Sequence, residues 1–542
     1  MAKQEKAGSS RRSAEAELLR NSEIRNGEFV RYYGKQNEIV IPDSVTSIAE
    51  DAFRDNKRLT RVALGRNVSV IRANAFRNCK FLQTVTLPSG LREIGNSAFF
   101  GCEALSAILL PRTVTKLGDA VFRGCHALKR LELSSAIESI GAYAFYDCTS
   151  LEEIRLPENL SAINLSMFFN CRSLTHLEIP ASVRTVSRYA FAHCVSLETL
   201  EFPETLAYLG SGVLTGCEAL RSVTVPNGIR FLGDYFFTGC RSLETVTLAD
   251  EITFIGRNVF CGCEKLKEIT LPETLEYIGY AAFLGCRALT EIRIPEHVNE
   301  IDILAFSCCD SLERVDFDTE RMGALEVETF SGCESLTRIA LPDSITQIGE
   351  RAFERCSSLA SVHIPQSLER LDDRAFADCT SLRSVSLPIY LRAVGDRVFE
   401  GCHALKTVIF PDHKVKLGRA IFADCSTLEV LVVSDSIRFL RHLREKLHMH
   451  EAANLILQSE LKVALLFAEL AKFDTPTDRK ALLRAEIRRR LDRLKKRNHL
   501  HTNRAARQHI DRAAQALGVQ ILLGAQEEDE ENDVSDAPSD ES

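Results

Sequence analysis

The sequence predicts a β-solenoid, wound in coils of about 23 residues with one short strand per coil and capped at its far end by α-helices. Three observations predict it. A phenylalanine recurs at Phe53, Phe76, Phe99, Phe122, Phe145, Phe168 and Phe191, yields one slot to Leu214, and returns at Phe237, Phe260, Phe283 and Phe306. After a slip of one residue it continues at Phe330, Phe353, Phe376, Phe399 and Phe422, which makes 17 slots. A cysteine follows the marker three residues later in 16 of them, from Cys79 to Cys425, with Asn56 in the first. Beyond Val433 the period gives way to apolar residues at helical spacing. A unit this small cannot bury its apolar face alone and must stack on its neighbours.

Residues 1–21 are polar and charged and read as a disordered segment, and residues 22–41 as the cap that starts the first coil. The solenoid spans 22–437. One unit reads Leu82-x-x-Val85-x-Leu87-Pro88, then Leu91-x-x-Ile94-Gly95, then Ala98-Phe99-x-Gly101-Cys102. Val85 and Leu87 alternate as a half-buried strand requires. Proline cannot donate to a ladder, so Pro88 ends the strand and sets a turn. Gly95 and its equivalents Gly118, Gly141, Gly210, Gly256, Gly279, Gly349 and Gly395 suit a tight bend with positive φ. The phenylalanines then stack into one aromatic spine. Seventeen strands spaced at about 4.8 Å give a length on the order of 80 Å. Between Phe306 and Phe330 the extra residue, within Asp318-Thr319-Glu320-Arg321-Met322-Gly323, predicts a bulge or kink.

The unit Leu-x-x-Val-x-Leu-Pro-x-x-Leu-x-x-Ile-Gly-x-x-Ala-Phe-x-Gly-Cys resembles the BspA-like class of leucine-rich repeat over about residues 24–437. The lead-in Gly27-Glu28-Phe29-Val30-Arg31-Tyr32-Tyr33-Gly34, with Ile39-Val40-Ile41-Pro42, resembles that family's entry coil. The resemblance implies a right-handed solenoid curved like a horseshoe, a source among the bacteria or, less commonly, the protozoa, and a role in recognition or adhesion, often at a cell surface. It brings no catalytic residues.

The 18 cysteines admit three readings. They form a ladder of buried reduced thiols, or disulfides between neighbouring coils, or a metal site. Stacked Cα atoms lie at permitted distance for a disulfide, but parallel side chains are poor geometry for one. No compact Cys/His cluster suggests a metal. The Asn56 exchange points to an inward side chain that satisfies loop backbone. The N-terminal residues lack an apolar signal core, no run is long enough for a transmembrane segment, and thiols are many. Together these favour the cytoplasm, with cell surface or secretion as the alternative.

Function must lie on exposed faces. The outward strand slots hold mixed polar residues and not one aromatic, against a sugar-binding groove there. Glu152, Glu153, Glu178, Glu198 and Glu201 form an acidic group suited to a basic protein partner. A solvated sheet face is the competing reading.

Residues 438–524 read as a basic helical region. Between 479 and 512 there are 13 Lys or Arg against three acids, in a chain whose net charge is −8. Arg488, Arg489, Arg490, Arg493, Lys495, Lys496 and Arg497 are candidates for nucleic-acid or other anion binding, although the helices also serve to cap the solenoid. The segment lacks interleaved aromatics. Residues 525–542 read as an acidic disordered tail. No phosphate-cradling loop, zincin motif, nucleophile elbow or cofactor fingerprint is present. The sequence therefore reads as a monomeric, non-catalytic protein-binding scaffold. A nucleic-acid-associated protein and a surface adhesin are the alternatives.

Overall fold

The chain enters its first coil through a β-hairpin. In the computed structural model, which describes residues 16–411, 415–433 and 454–457, strand Ser22–Arg25 pairs antiparallel with Glu28–Tyr32. Asn26 and Gly27 turn the corner with φ of 50° and 78°, the two left-handed residues that a tight hairpin demands. The expectation of disorder through residue 21 is corrected: residues 16–20 are helical. Leu18 is buried in the core cluster, and that apolar contact orders the turn. Ser22 Oγ donates to the Leu18 carbonyl and the Asn21 amide to that of Glu17.

Nearly every coil then carries two strand segments rather than the one expected; the coil between Phe254–Ile255 and Tyr277–Ile278 has only the short one. The longer follows the Leu-x-x-Val-x-Leu pattern: Glu38–Val40, Arg61–Ala63 and Thr84–Thr86 pair parallel, with Val62 opposite Val85. The shorter comes from Leu-x-x-Ile: Ser47–Ile48, Val70–Ile71 and Glu93–Ile94 also pair parallel, with Ile71 opposite Ile94. Two residues are enough here because the ladder lends each one neighbours above and below. Leu91 and Ile94 face the core and Glu93 faces out. Between the two segments the Pro88 carbonyl accepts from the Leu91 amide at 3.1 Å, closing the turn that proline sets.

The third side is a run of turns around the marker phenylalanine. In all 17 coils the residues two before and two after the marker have positive φ, for example Ser97 at 55° and Gly101 at 69° about Phe99. Glycine, asparagine and aspartate suit the second of these positions, and Asn78, Gly101, Gly124 and Asp147 occupy it in successive coils. The Gly95 series does something else, contrary to its expected positive φ. A Cβ at Gly118 would sit 2.5 Å from the backbone nitrogen of Asn96 and 2.6 Å from the Gly95 carbonyl carbon. That glycine lets adjacent coils approach.

The spine forms as the spacing predicts. Successive rings stack with centroids 4.8–6.0 Å apart and planes 2–16° from parallel. It begins one turn earlier than expected, at Phe29 of the hairpin, which stacks on Phe53 at 4.9 Å. The series is interrupted only at Leu214. In the next coil Phe236 takes the slot usually given to a small residue, and its ring meets Phe237 edge-on at 4.7 Å.

All 18 cysteines are free. In the 16 ladder positions, Sγ donates to the marker carbonyl of the preceding coil at 2.9–3.3 Å, as Cys79 does to Phe53 and Cys425 to Phe399. Asn56 uses its Oδ1 instead to accept from the amides of Arg58 and Leu59. Burial pushes the ladder thiols up, Cys79, Cys194 and Cys240 each to about 12. Thiolate is the reactive form, so these groups are shielded twice. A disulfide reagent added to the native chain is expected to label exposed Cys308 quickly and half-buried Cys261 slowly. The other 16 should react only after unfolding in guanidinium. Rapid labelling of many thiols in the native state would contradict this packing.

The extra residue of the twelfth interval is absorbed outside the spine. Phe306 and Phe330 still stack at 5.5 Å and 8°. Thr319 is buried, donating to the Val298 carbonyl at 2.6 Å and accepting from the Arg321 amide. The short-strand ladder does stop there, between Glu300–Ile301 and Ala324–Leu325. At the far end Val430–Val433 pairs parallel with Asn454–Leu457. This strand replaces the helix expected for those four residues, because an open ladder edge at Val430–Val433 offers backbone partners. The rest of 438–524 and all of 525–542 lie outside the described residues.

Candidate protein-binding surface

The long strands turn their non-core side chains to solvent as columns that run from coil to coil. All five glutamates singled out from the sequence stand on this face and are exposed, in three successive coils. The structure divides them. Glu152 faces Lys129 and Glu153 faces Arg130 in the preceding coil, each at 3.9 Å. Such exposed pairs contribute little. Glu178, Glu198 and Glu201 make no ion pair among the described residues. Strands His176–Glu178 and Thr199–Glu201 pair with Glu178 opposite Glu201, a like-charge rung that is unfavourable by itself.

Two shallow grooves open on the same face, and both coincide with interruptions of the ladder. One, of about 260 Å³, is lined by Glu153, Arg155, Glu158, His176 and Glu178. It lies where strands Glu153–Arg155 and His176–Glu178 belong to separate sheets. The other, of about 500 Å³, lies between Thr245–Thr247 and Glu291–Ile294, where the intervening coil has no long strand. Its rim carries Glu268, Glu291, Arg293 and Arg314. The Arg293 guanidinium is held above its ordinary value by its hydrogen bond to Glu273 at 2.5 Å, and also pairs with Asp318. Among the described residues no group of three or more His, Cys, Asp or Glu is placed to hold a metal ion.

The model of the BspA type leucine-rich repeat region, in six copies, matches residues 22–148, 116–244, 231–359 and 305–429. The chain is a BspA-type leucine-rich repeat protein. Solved structures similar to it include a leucine-rich repeat protein from Bacteroides ovatus, 24% identical, with 80% of this chain and 94% of that one covered and a TM-score of 0.45. A leucine-rich repeat protein of T. pallidum is 32% identical over 36% of this chain and 82% of that one, with a TM-score of 0.30. A leucine-rich cell-surface protein from Faecalibacterium prausnitzii is 22% identical over 74% and 89%, with a TM-score of 0.27. Among curated proteins none matches. BspA-type repeats are typically interaction or surface modules.

This BspA-type chain carries one exposed feature that the sequence reading missed. The outward residue of the short strand is aromatic in four successive coils: Tyr208, Phe231, Phe254 and Tyr277. The signal was present, since these residues recur every 23 positions, but the marker series drew attention inward. The basic candidates from Arg488 to Arg497 lie outside the described residues. No helix among the described residues is long and apolar enough to cross a membrane.

Proposed function

We propose that the protein is a non-catalytic scaffold that presents the outward face of its long strands to a basic protein partner. Glu152, Glu153, Glu178, Glu198 and Glu201 form the recognition patch in this reading. The observation that carries it is the Glu178–Glu201 rung, two exposed carboxylates opposite each other with no ion pair among the described residues. Like charges so placed cost stability in the free chain, and a bound cation returns it. The neighbouring groove of about 260 Å³ adds a recess beside the carboxylates. We also assign the scaffold to the cytoplasm, a reading supported by thiols that hydrogen bond to carbonyls along the ladder.

The test is affinity capture from lysate of the source cells, with and without nuclease, using the whole chain and a variant carrying Glu178→Lys and Glu201→Lys. A basic protein held by the parent and about tenfold weaker on the variant supports the patch. Both positions are exposed, so the fold should be unaffected. Equal retention by the variant refutes it. Material that disappears with nuclease treatment would instead favour the basic segment 479–512.

A further inference from the structure

The aromatic residues of the short-strand face are confined to one stretch of the solenoid. In the other 13 coils that outward slot holds no aromatic side chain, running through Ser47, Val70 and Glu93 before the stretch and Glu300, Ala324 and Gln347 after it. Within the stretch Phe231 is 61% exposed and Tyr208 49% exposed, while Phe254 and Tyr277 are half-buried against each other. Phe231, Phe254 and Tyr277 stand in direct register on paired strands, with Tyr208 one coil earlier across a break in the ladder. Packing does not require rings here, because the core of every coil is closed by residues on the other side of the sheet. Exposed apolar side chains that gather in one row mark an interaction surface.

The next coils change character. Glu300 follows Tyr277 in register, and Asp302 accepts from the Tyr277 hydroxyl at 2.8 Å. Glu326 lies beyond. Burial and the nearby charges of Asp302, Glu300 and Asp372 hold its carboxyl above the usual range. Neither Glu300 nor Glu326 makes an ion pair among the described residues. An apolar row thus runs along the solenoid into a crowded group of carboxylates.

We propose that this strip, from Tyr208 through Phe231, Phe254 and Tyr277 to Glu300 and Glu326, docks an extended polypeptide segment whose apolar side chains are followed by Lys or Arg. Charge complementarity selects the cationic end: a positive side chain over Glu300 and Glu326 relieves the repulsion that crowds them. In two of the four rings the geometry argues against a sugar, whereas Phe231 stands tilted 57° from Phe254 at 6.4 Å. Phe254 and Tyr277 stack face to face at 4.7 Å and 11°, so they cover the flat faces on which a pyranose would lie and leave their edges outward. The dimensions suit a peptide. Four rungs at about 4.8 Å span roughly 14 Å, which an extended chain covers in four to five residues, and the two acidic coils add roughly 10 Å, or about three residues more. This surface is separate from the long-strand face and does not depend on the reading proposed for it.

The experiment uses the full chain and a fluorescein-labelled synthetic peptide of about eight residues. It has apolar residues at alternate positions of its first half and lysines at alternate positions of its second. Anisotropy should report saturable binding that weakens with salt. It should weaken about tenfold with Phe231→Ser, and again with Glu300→Gln plus Glu326→Gln. Replacing the lysines by glutamates should abolish it, whereas Glu178→Lys with Glu201→Lys should leave it unchanged. No binding to the parent chain, or equal binding by the Phe231→Ser variant, would overturn the proposal. So would tighter binding of a neutral glucose oligosaccharide that the same substitution removes.

Discussion

Raising the pH from about 8 to about 11 is expected to unfold the solenoid, with thiolate absorbance appearing in step with the loss of the β signal. The protonated thiol is neutral, and burial holds the folded pKa of all 16 ladder cysteines above that of the unfolded chain. Between the two values the unfolded state has released its protons and the folded state has not. Stability is therefore complete below the unfolded value of about 8.5 and falls as pH rises. Each thiol removes about 1.4 kcal/mol per pH unit in that window. A few coils acting together exceed the roughly 5–15 kcal/mol that holds a domain folded. A control replaces Cys125, Cys148 and Cys171 by serine, whose hydroxyl still donates to the carbonyls of Phe99, Phe122 and Phe145. Those coils should resist a higher pH, read by hydrogen exchange. Thiolates that form while the sheet signal stays intact would show that the ladder admits water, contrary to the packing.

Truncating one ring of the spine should have the next largest effect. Phe122 is fully buried between Phe99 at 5.6 Å and Phe145 at 6.0 Å, both nearly parallel to it. Phe122→Ala removes that ring from a site whose walls are fixed by ladders on either side, so the cavity cannot collapse. The expected loss is about 3–5 kcal/mol in guanidinium denaturation. Phe122→Leu should cost far less, about 1 kcal/mol, because the eighth coil already carries Leu214 in this slot. An alanine variant within about 1 kcal/mol of the parent would mean that neighbouring coils close over the vacated site, contrary to walls fixed by the ladders.

The inward half of this structure was legible in the sequence because apolar burial repeats with the coil. Leu82, Val85, Phe99 and Cys102 each recur at the same spacing, and each is buried. Phe29 escaped notice because it precedes Phe53 by 24 residues and lacks the cysteine that marks later coils. The short strand was hidden for a different reason. Leu91-x-x-Ile94 is consistent with a bend as well as a two-residue strand, and only the neighbouring coil decides between them. The role of Gly118 shows the same limit. A glycine placed for positive φ and one placed for close approach look alike until the backbone of Asn96 is found 2.5 Å from the missing Cβ. Among the acidic candidates, the sequence located the patch but not its division. Whether Glu153 finds Arg130 or Glu178 finds Glu201 depends on parallel register between coils.

That register has a consequence for how such a chain changes length. Val62 lies opposite Val85 and Ile71 opposite Ile94, so each residue sits one rung from the residue 23 positions on. Excising any 23 consecutive residues from a regular stretch joins two ends that were already neighbours, wherever the cut begins. Deletion or duplication by recombination between repeats therefore needs no particular boundary. It changes the molecule by whole rungs of about 4.8 Å while leaving spine and thiol row continuous. The protein is in this sense a graduated rule, and a binding strip can be moved along it, lengthened or shortened without redesigning its ends.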